Sequence, residues 1–264
     1  MNDMKTSPWK APAKYQIFNM LKAMGVVYLV LVLVHIAIFV LVSTLEGSGE
    51  AFSVSMNASS EMAELIFSFV MGCCMWRDSF HLGMVAGVPR RYIFGANLAA
   101  AAFMSAVLAL FGTLFRFLTH FFFDITSAYS VFYGEEYGAG VDMFSSLPMM
   151  LGGAAWNACL YLALAACGIF FGCLYYVIPK WMRVALSIAI PCLLVLGLPA
   201  LAGLLPPGSL KGLVLVLNAM FGTTAASCVT CLLTAALFAL LAWLAVRRAA
   251  VARNPQPSSA LGTN

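Results

Sequence analysis

Long apolar runs divide this chain into about six segments, and its positive charge is distributed around them with a strong asymmetry. Of its 14 Lys and Arg, twelve lie in polar stretches that alternate to one side: Lys5, Lys10, Lys14, Lys22, Arg77, Arg90, Arg91, Lys180, Arg183, Arg247, Arg248 and Arg253. Only Arg116 and Lys211 fall on the other. The acids do the reverse, with Glu46, Glu50, Glu61, Glu64, Asp124, Glu135, Glu136 and Asp142 on the Lys/Arg-poor side and Asp3 and Asp78 as exceptions. A bilayer takes roughly 20 residues of helix to cross. Retention of Lys and Arg on the cytoplasmic side sets orientation. The expectation is an all-α integral membrane protein of about six transmembrane helices, with N- and C-termini cytoplasmic.

Composition agrees. The chain is 63% hydrophobic and 9% charged, with mean hydropathy +0.96, against roughly 25% charge in a soluble domain. This predicts one membrane domain, residues 14–248, between a disordered cytoplasmic N-terminus at 1–13 and a disordered cytoplasmic tail at 249–264. The first apolar run is too long for a signal-peptide core and has no small-residue cleavage site, so it reads as a retained span in the cell membrane. The net charge of +4 is juxtamembrane, which points to anionic lipid and not to nucleic acid.

Along the chain, residues 14–23 alternate cationic and apolar positions, the pattern either of a short amphipathic lead-in helix on the membrane surface or of a ragged cytoplasmic start to the first span. Spans are expected at about 24–45, 61–76, 92–118, 146–178, 184–204 and 222–246. Glu61 and Glu64 would begin the second span in the outer headgroups. The outer segment 119–145 is aromatic and acidic, which suits an interfacial belt. The Leu205–Ser209 stretch carries two prolines and a glycine, and residues 210–246 are too long for one crossing. A re-entrant helix between spans five and six, ending at a break near Gly222-Thr223-Thr224, accounts for both.

Chemistry-bearing motifs are sparse. There is no HExxH, GxSxG or Walker A pattern, so the chain itself is not expected to be an enzyme or to bind a cofactor. Glu135-Glu136 lacks the arginine that a paired-glutamate membrane protease would place soon after it. The eight cysteines all lie in or beside apolar runs, and Cys228–Cys231 lies inside the last span, so they read as helix-packing residues and not as a zinc site. The span interiors offer only His35, Asn97, Asn157 and Asn218, with Arg116 and His120 near an outer end, where they would snorkel. Charge inside the spans therefore looks nearly absent, which disfavours a proton- or ion-coupled carrier. Gly168 and Gly172 form a GxxxG pair that serves either packing within the chain or dimerisation.

The segment between spans two and three carries the most information. Arg77-Asp78-Ser79-Phe80-His81-Leu82-Gly83 reads as a short amphipathic helix, and Gly87-Val88-Pro89-Arg90-Arg91 as a turn feeding a long helix. Phe80, ringed by Arg77, Asp78 and His81, suits a socket on a partner protein; a plain basic connector is the alternative. With Gly87, Arg90 and Arg91 in a Gly-x-x-Arg-Arg pattern, and with the order of lead-in, spans and loops over residues 14–248, the chain resembles the permease subunits of bacterial ABC-2 type ATP-binding cassette transporters. The resemblance implies that 77–91 is a coupling segment docking on a separate ATPase subunit, which binds the ATP. It also implies a second permease half, either a second copy or a paralogue. The long aromatic outer segment departs from that pattern and leaves the substrate open between amphipathic, lipid-like and peptide classes. Two other readings stand beside it. One is a non-transport membrane scaffold or sensor that binds through its aromatic outer segment. The other is a secondary carrier.

Overall fold

The computed structural model describes residues 10–46, 59–85, 87–121, 127–137, 144, 146–178, 181–185, 215–216 and 218–248. Within the helices, the side chains of 77–82 and of Glu135 and Glu136 are among those not described. The main elements are α1 (Lys10–Glu46), α2 (Ser59–Val85), α3 (Arg90–His120), α4 (Ala128–Tyr137), α5 (Leu147–Val177) and α6 (Thr224–Arg248). Among the described residues there is no strand. Among the described residues, four stretches are long and apolar enough to cross a membrane: Gln16–Ala37, Arg90–His120, Leu147–Val177 and Thr224–Arg247. Helix α2 is long enough as well, but it carries Glu61, Glu64, Arg77 and Asp78. The fifth expected span, 184–204, and the prolines at 206–207 lie almost wholly outside the described residues.

Two boundaries differ from expectation. The lead-in is not a separate helix: α1 runs unbroken from Lys10 through the first apolar run. Nothing between Lys14 and Glu46 breaks it, since Pro12 sits in the first turn, where a missing N–H costs little. Likewise α2 continues through 77–85 without a break at Arg77.

The helix ends follow local chemistry. Gly87 has φ 70, and the Val88 N–H donates to the Gly83 carbonyl at 2.9 Å. That six-to-one bond is a Schellman ending, which glycine adopts without the penalty a Cβ carries. Pro89 is the N-cap of α3 at φ −58. Thr223 precedes α6 and accepts the Ala226 N–H at 3.3 Å, which caps the helix just after the Gly222-Thr223 break.

Helix α5 lies at the centre, against α2, α3 and α6, while α1 lies along α2 and α3. Small residues allow this. A Cβ on Gly72 would meet the Ala165 carbonyl, and one on Gly168 would meet the backbone of Phe69 and Cys73. At Gly172 it would sit 2.8 Å from the Cys73 carbonyl oxygen. Lipid gives helices little hydrophobic reason to associate, so close backbone contact and polar bonds hold them together. Large side chains face outward instead, among them Leu29, Leu33, Phe103, Phe111, Leu114 and Leu233.

Candidate functional site: a buried ion cluster

The buried face of α3 runs through Ile93, Asn97, Ala100, Met104, Leu108 and Gly112 to Arg116. Arg116 therefore continues the stripe that packs inward and does not reach toward headgroups. Its side chain is 1% exposed. It meets Glu64 Oε2 through Nη1 at 3.0 Å and Glu61 Oε1 through Nε at 3.5 Å. Glu64 is 0% and Glu61 3% exposed. Both acids lie on one face of α2, three residues apart.

Hydroxyls complete the cluster. Tyr161, near the middle of α5, donates to Glu64 Oε2. Tyr28, near the middle of the first apolar stretch, donates to Glu64 Oε1 at 3.1 Å, with the Leu108 carbonyl oxygen as a second acceptor at 3.2 Å. Gly112 makes the room, because a Cβ there would run into the Glu64 carboxylate. Since Tyr28 and Tyr161 come from mid-helix positions, the cluster lies within the bundle.

Glu61 ties down the outer segment. Ser127 Oγ donates to its Oε1 at 2.7 Å, and the Ala128 N–H to its Oε2 at 2.8 Å. A carboxylate from α2 thus satisfies the first free amide of α4, where the helix dipole favours negative charge. Tyr129 and Tyr133 are buried against Trp156, with ring centroids 5.9 and 5.7 Å away. Trp156 donates to Ser227 Oγ at 2.9 Å. These two tyrosines pack inward and do not join a headgroup belt; Phe132 is exposed.

These contacts correct the expectation that charge is nearly absent inside the bundle. The side chains of Glu61, Glu64 and Arg116 are buried among the helices and paired with one another. A signal was present: Arg116 shares its helical face with Asn97, Ala100, Ala101, Ser105 and Gly112, the small and polar residues that mark a helix interface.

The residues singled out from sequence are distributed differently. The backbone of Arg77, Asp78, Phe80 and His81 is helical, as the last turns of α2, and their side chains lie outside the described residues. Gly87 makes the corner. Arg90 Nη1 donates to the Val246 carbonyl at 3.4 Å, which places a cation at the C-terminal turn of α6. Arg91 is exposed, with its guanidinium 4.9 Å from the Tyr92 ring centroid. Gly168 and Gly172 of the GxxxG pair face α2 of the same chain. His35 Nδ1 lies 2.8 Å from its own helix's Leu31 carbonyl. Asn97 accepts a bond from Gln16 Nε2 between α1 and α3. Among the described residues no three His, Cys, Asp or Glu side chains gather in a way that could hold a metal ion. Cys228 and Cys231 are free thiols on α6, the latter packed among Ala163, Ala166 and Ala235.

No protein-family model, curated protein or solved structure matches this chain.

Proposed function

We propose that this chain is the membrane-spanning permease subunit of an ABC-2 type ATP-binding cassette transporter in the cell membrane. In this reading it crosses the bilayer six times with both termini cytoplasmic, and a re-entrant helix precedes the last span. It pairs with a second permease half and exports an amphipathic, lipid-like or peptide substrate. ATP is hydrolysed by a separate subunit, whose differential docking in its two states supplies the work.

The observation that carries the reading is the length of α2. Its 27 residues extend about 40 Å, against a hydrocarbon core of about 30 Å. Glu64 anchors one end inside the bundle, so the excess falls at the other end, on Arg77–Val85. A rigid helical extension with a Schellman corner and a proline behind it suits a lever that passes motion from an ATPase into α2 and α3. Phe80 is the expected anchor there, with Arg77, Asp78 and His81 at the rim.

The test is whether a neighbouring reading frame encodes an ATPase subunit with a Walker A motif, followed by co-expression with that subunit and co-purification. Phe80→Ala should lower ATPase affinity about thirty-fold, the equivalent of losing an anchor worth on the order of 2 kcal/mol. Transport should fall with it, while the folded protein is recovered in normal amounts. Normal binding and normal transport by the Phe80→Ala protein would remove the docking assignment, leaving 77–91 a basic connector.

A further inference from the structure

We propose that Glu64 is an intramembrane proton-binding site: its Oε1 takes one proton as the Tyr28 hydroxyl turns from that oxygen to the Leu108 carbonyl. This goes beyond the permease reading and holds whether or not an ATPase drives the protein.

The charge count comes first. Two carboxylates meet one guanidinium, and all three side chains are at most 3% exposed. With both acids ionised, the cluster encloses one net negative charge, and a buried charge without compensation is costly. One bound proton cancels it. Among the described residues, the groups facing Glu64 are Tyr28 from α1, Glu61 on its own helix, Arg116 from α3 and Tyr161 from α5. At the start of α4, Ser127 and the Ala128 amide face Glu61. Helix α6 brings the Thr224 and Ser227 hydroxyls, which bond Tyr129 and Trp156. Two histidines lie nearby: His35 sets its ring edge against Phe115, and His120 stacks on Phe144.

Hydrogen-bond geometry selects the atom. Glu61 accepts the Ala128 N–H on Oε2 and the Ser127 hydroxyl on Oε1; a proton on Oε1 would have to donate to Ser127 Oγ, which already accepts the Tyr129 N–H at 3.3 Å. Glu64 Oε2 is held by Arg116 and Tyr161. Oε1 is held by the Tyr28 hydroxyl, which has another acceptor within 3.2 Å. When Oε1 gains a proton, it donates to the Tyr28 oxygen while the Tyr28 proton turns to Leu108. No covalent bond breaks, and no buried polar atom is stranded.

A cavity of about 20 Å³, lined by Ser68, Ser105 and Leu108 among others, lies between α1, α2, α3 and α5. It shares Met20, Met71 and Met75 with a wider cleft of about 320 Å³ between α1 and α2, where Gln16, Asn19 and Lys22 line the wall.

The experiment is pH-difference infrared spectroscopy on the full chain in lipid nanodiscs, reading the carbonyl stretch of a buried carboxylic acid and its shift in heavy water. The wild type should show one such band that titrates with pH, and Glu64→Gln should abolish it. Glu61→Gln removes the surplus negative charge that the proton offsets, so the band should weaken. In Tyr28→Phe the acid loses the oxygen it donates to, so its stretch should move to higher frequency. No titrating band in the wild type would overturn the proposal. So would a band that survives Glu64→Gln and disappears in Glu61→Gln, or one that responds to sodium at fixed pH. Should Glu64→Gln fail to fold, Tyr28→Phe decides: an unmoved band rejects the assignment.

Discussion

Two stretches of α2 are held against the bundle in opposite ways. From Phe69 to Trp76 it lies against α5 along a seam of small residues, Gly72 against Ala165 and Gly168 and Gly172 against the Cys73 turn. Two turns nearer its start, Glu61 and Glu64 are enclosed by a guanidinium, three hydroxyls and a backbone amide. The seam specifies by shape, since only residues without bulk allow the backbones to meet. The cluster specifies by charge, since only the complete set of partners makes burial tolerable. The seam should therefore fail gradually with added volume, and the cluster abruptly when one partner is removed.

The largest expected effect is Arg116→Met. It leaves two buried carboxylates without their cation, and breaking a buried pair in this way costs about 3–5 kcal/mol. Thermal unfolding in detergent, followed by size-exclusion chromatography, should show a large loss of folded protein. Adding Glu64→Gln to that variant should restore part of it. If the double variant is no more stable than the single, the two side chains are not coupled and the contrast with the seam fails.

A smaller effect, with a sign that depends on position, is expected for glycine. Gly168→Ala forces a Cβ into the α2 backbone, and overpacking of this kind costs about 1–3 kcal/mol. Gly95 is exposed and a Cβ there meets nothing within 4 Å, so Gly95→Ala should instead gain up to about 1 kcal/mol from helix propensity. The same melting assay reads both. Equal shifts would mean that the seam is not the close contact described.

Tyr161→Phe removes one donor from Glu64 and keeps the ring packed. Hydrogen bonds between helices in membranes are worth roughly 0.6–2 kcal/mol, so a modest drop in melting temperature is expected, well short of that for Arg116→Met. The smallest effect is His35→Gln. His35 bonds its own helix and lies outside the cluster, so if the chain is the proposed permease its transport should stay within a few-fold. Loss of transport with normal expression and assembly would favour the secondary-carrier reading instead.

Much of the fold could be read from the chain alone. The runs that became α3, α5 and α6 were placed within two or three residues, because apolar length and bounding polar residues are local properties. Gly87-Val88-Pro89 read as a corner for the same reason. The continuity of α1 and α2 was less visible, since cationic and apolar alternation near a membrane surface looks the same whether or not the helix breaks. The site was misread because Glu61, Glu64 and Arg116 each lie near the end of an apolar run. There, a headgroup position and a buried one have the same sequence.

The sequence alone determined that this chain is built of long apolar helices, where its charged residues fall between the apolar runs, and where small residues allow helices to touch. Only the tertiary structure decided that Glu64, Arg116, Tyr28 and Tyr161 meet. They come from four helices, and 36 to 97 residues separate Glu64 from each of the two tyrosines that bond it. No local pattern encodes such a meeting. It depends on which face each helix turns inward, and lipid leaves that choice to close packing and polar partners.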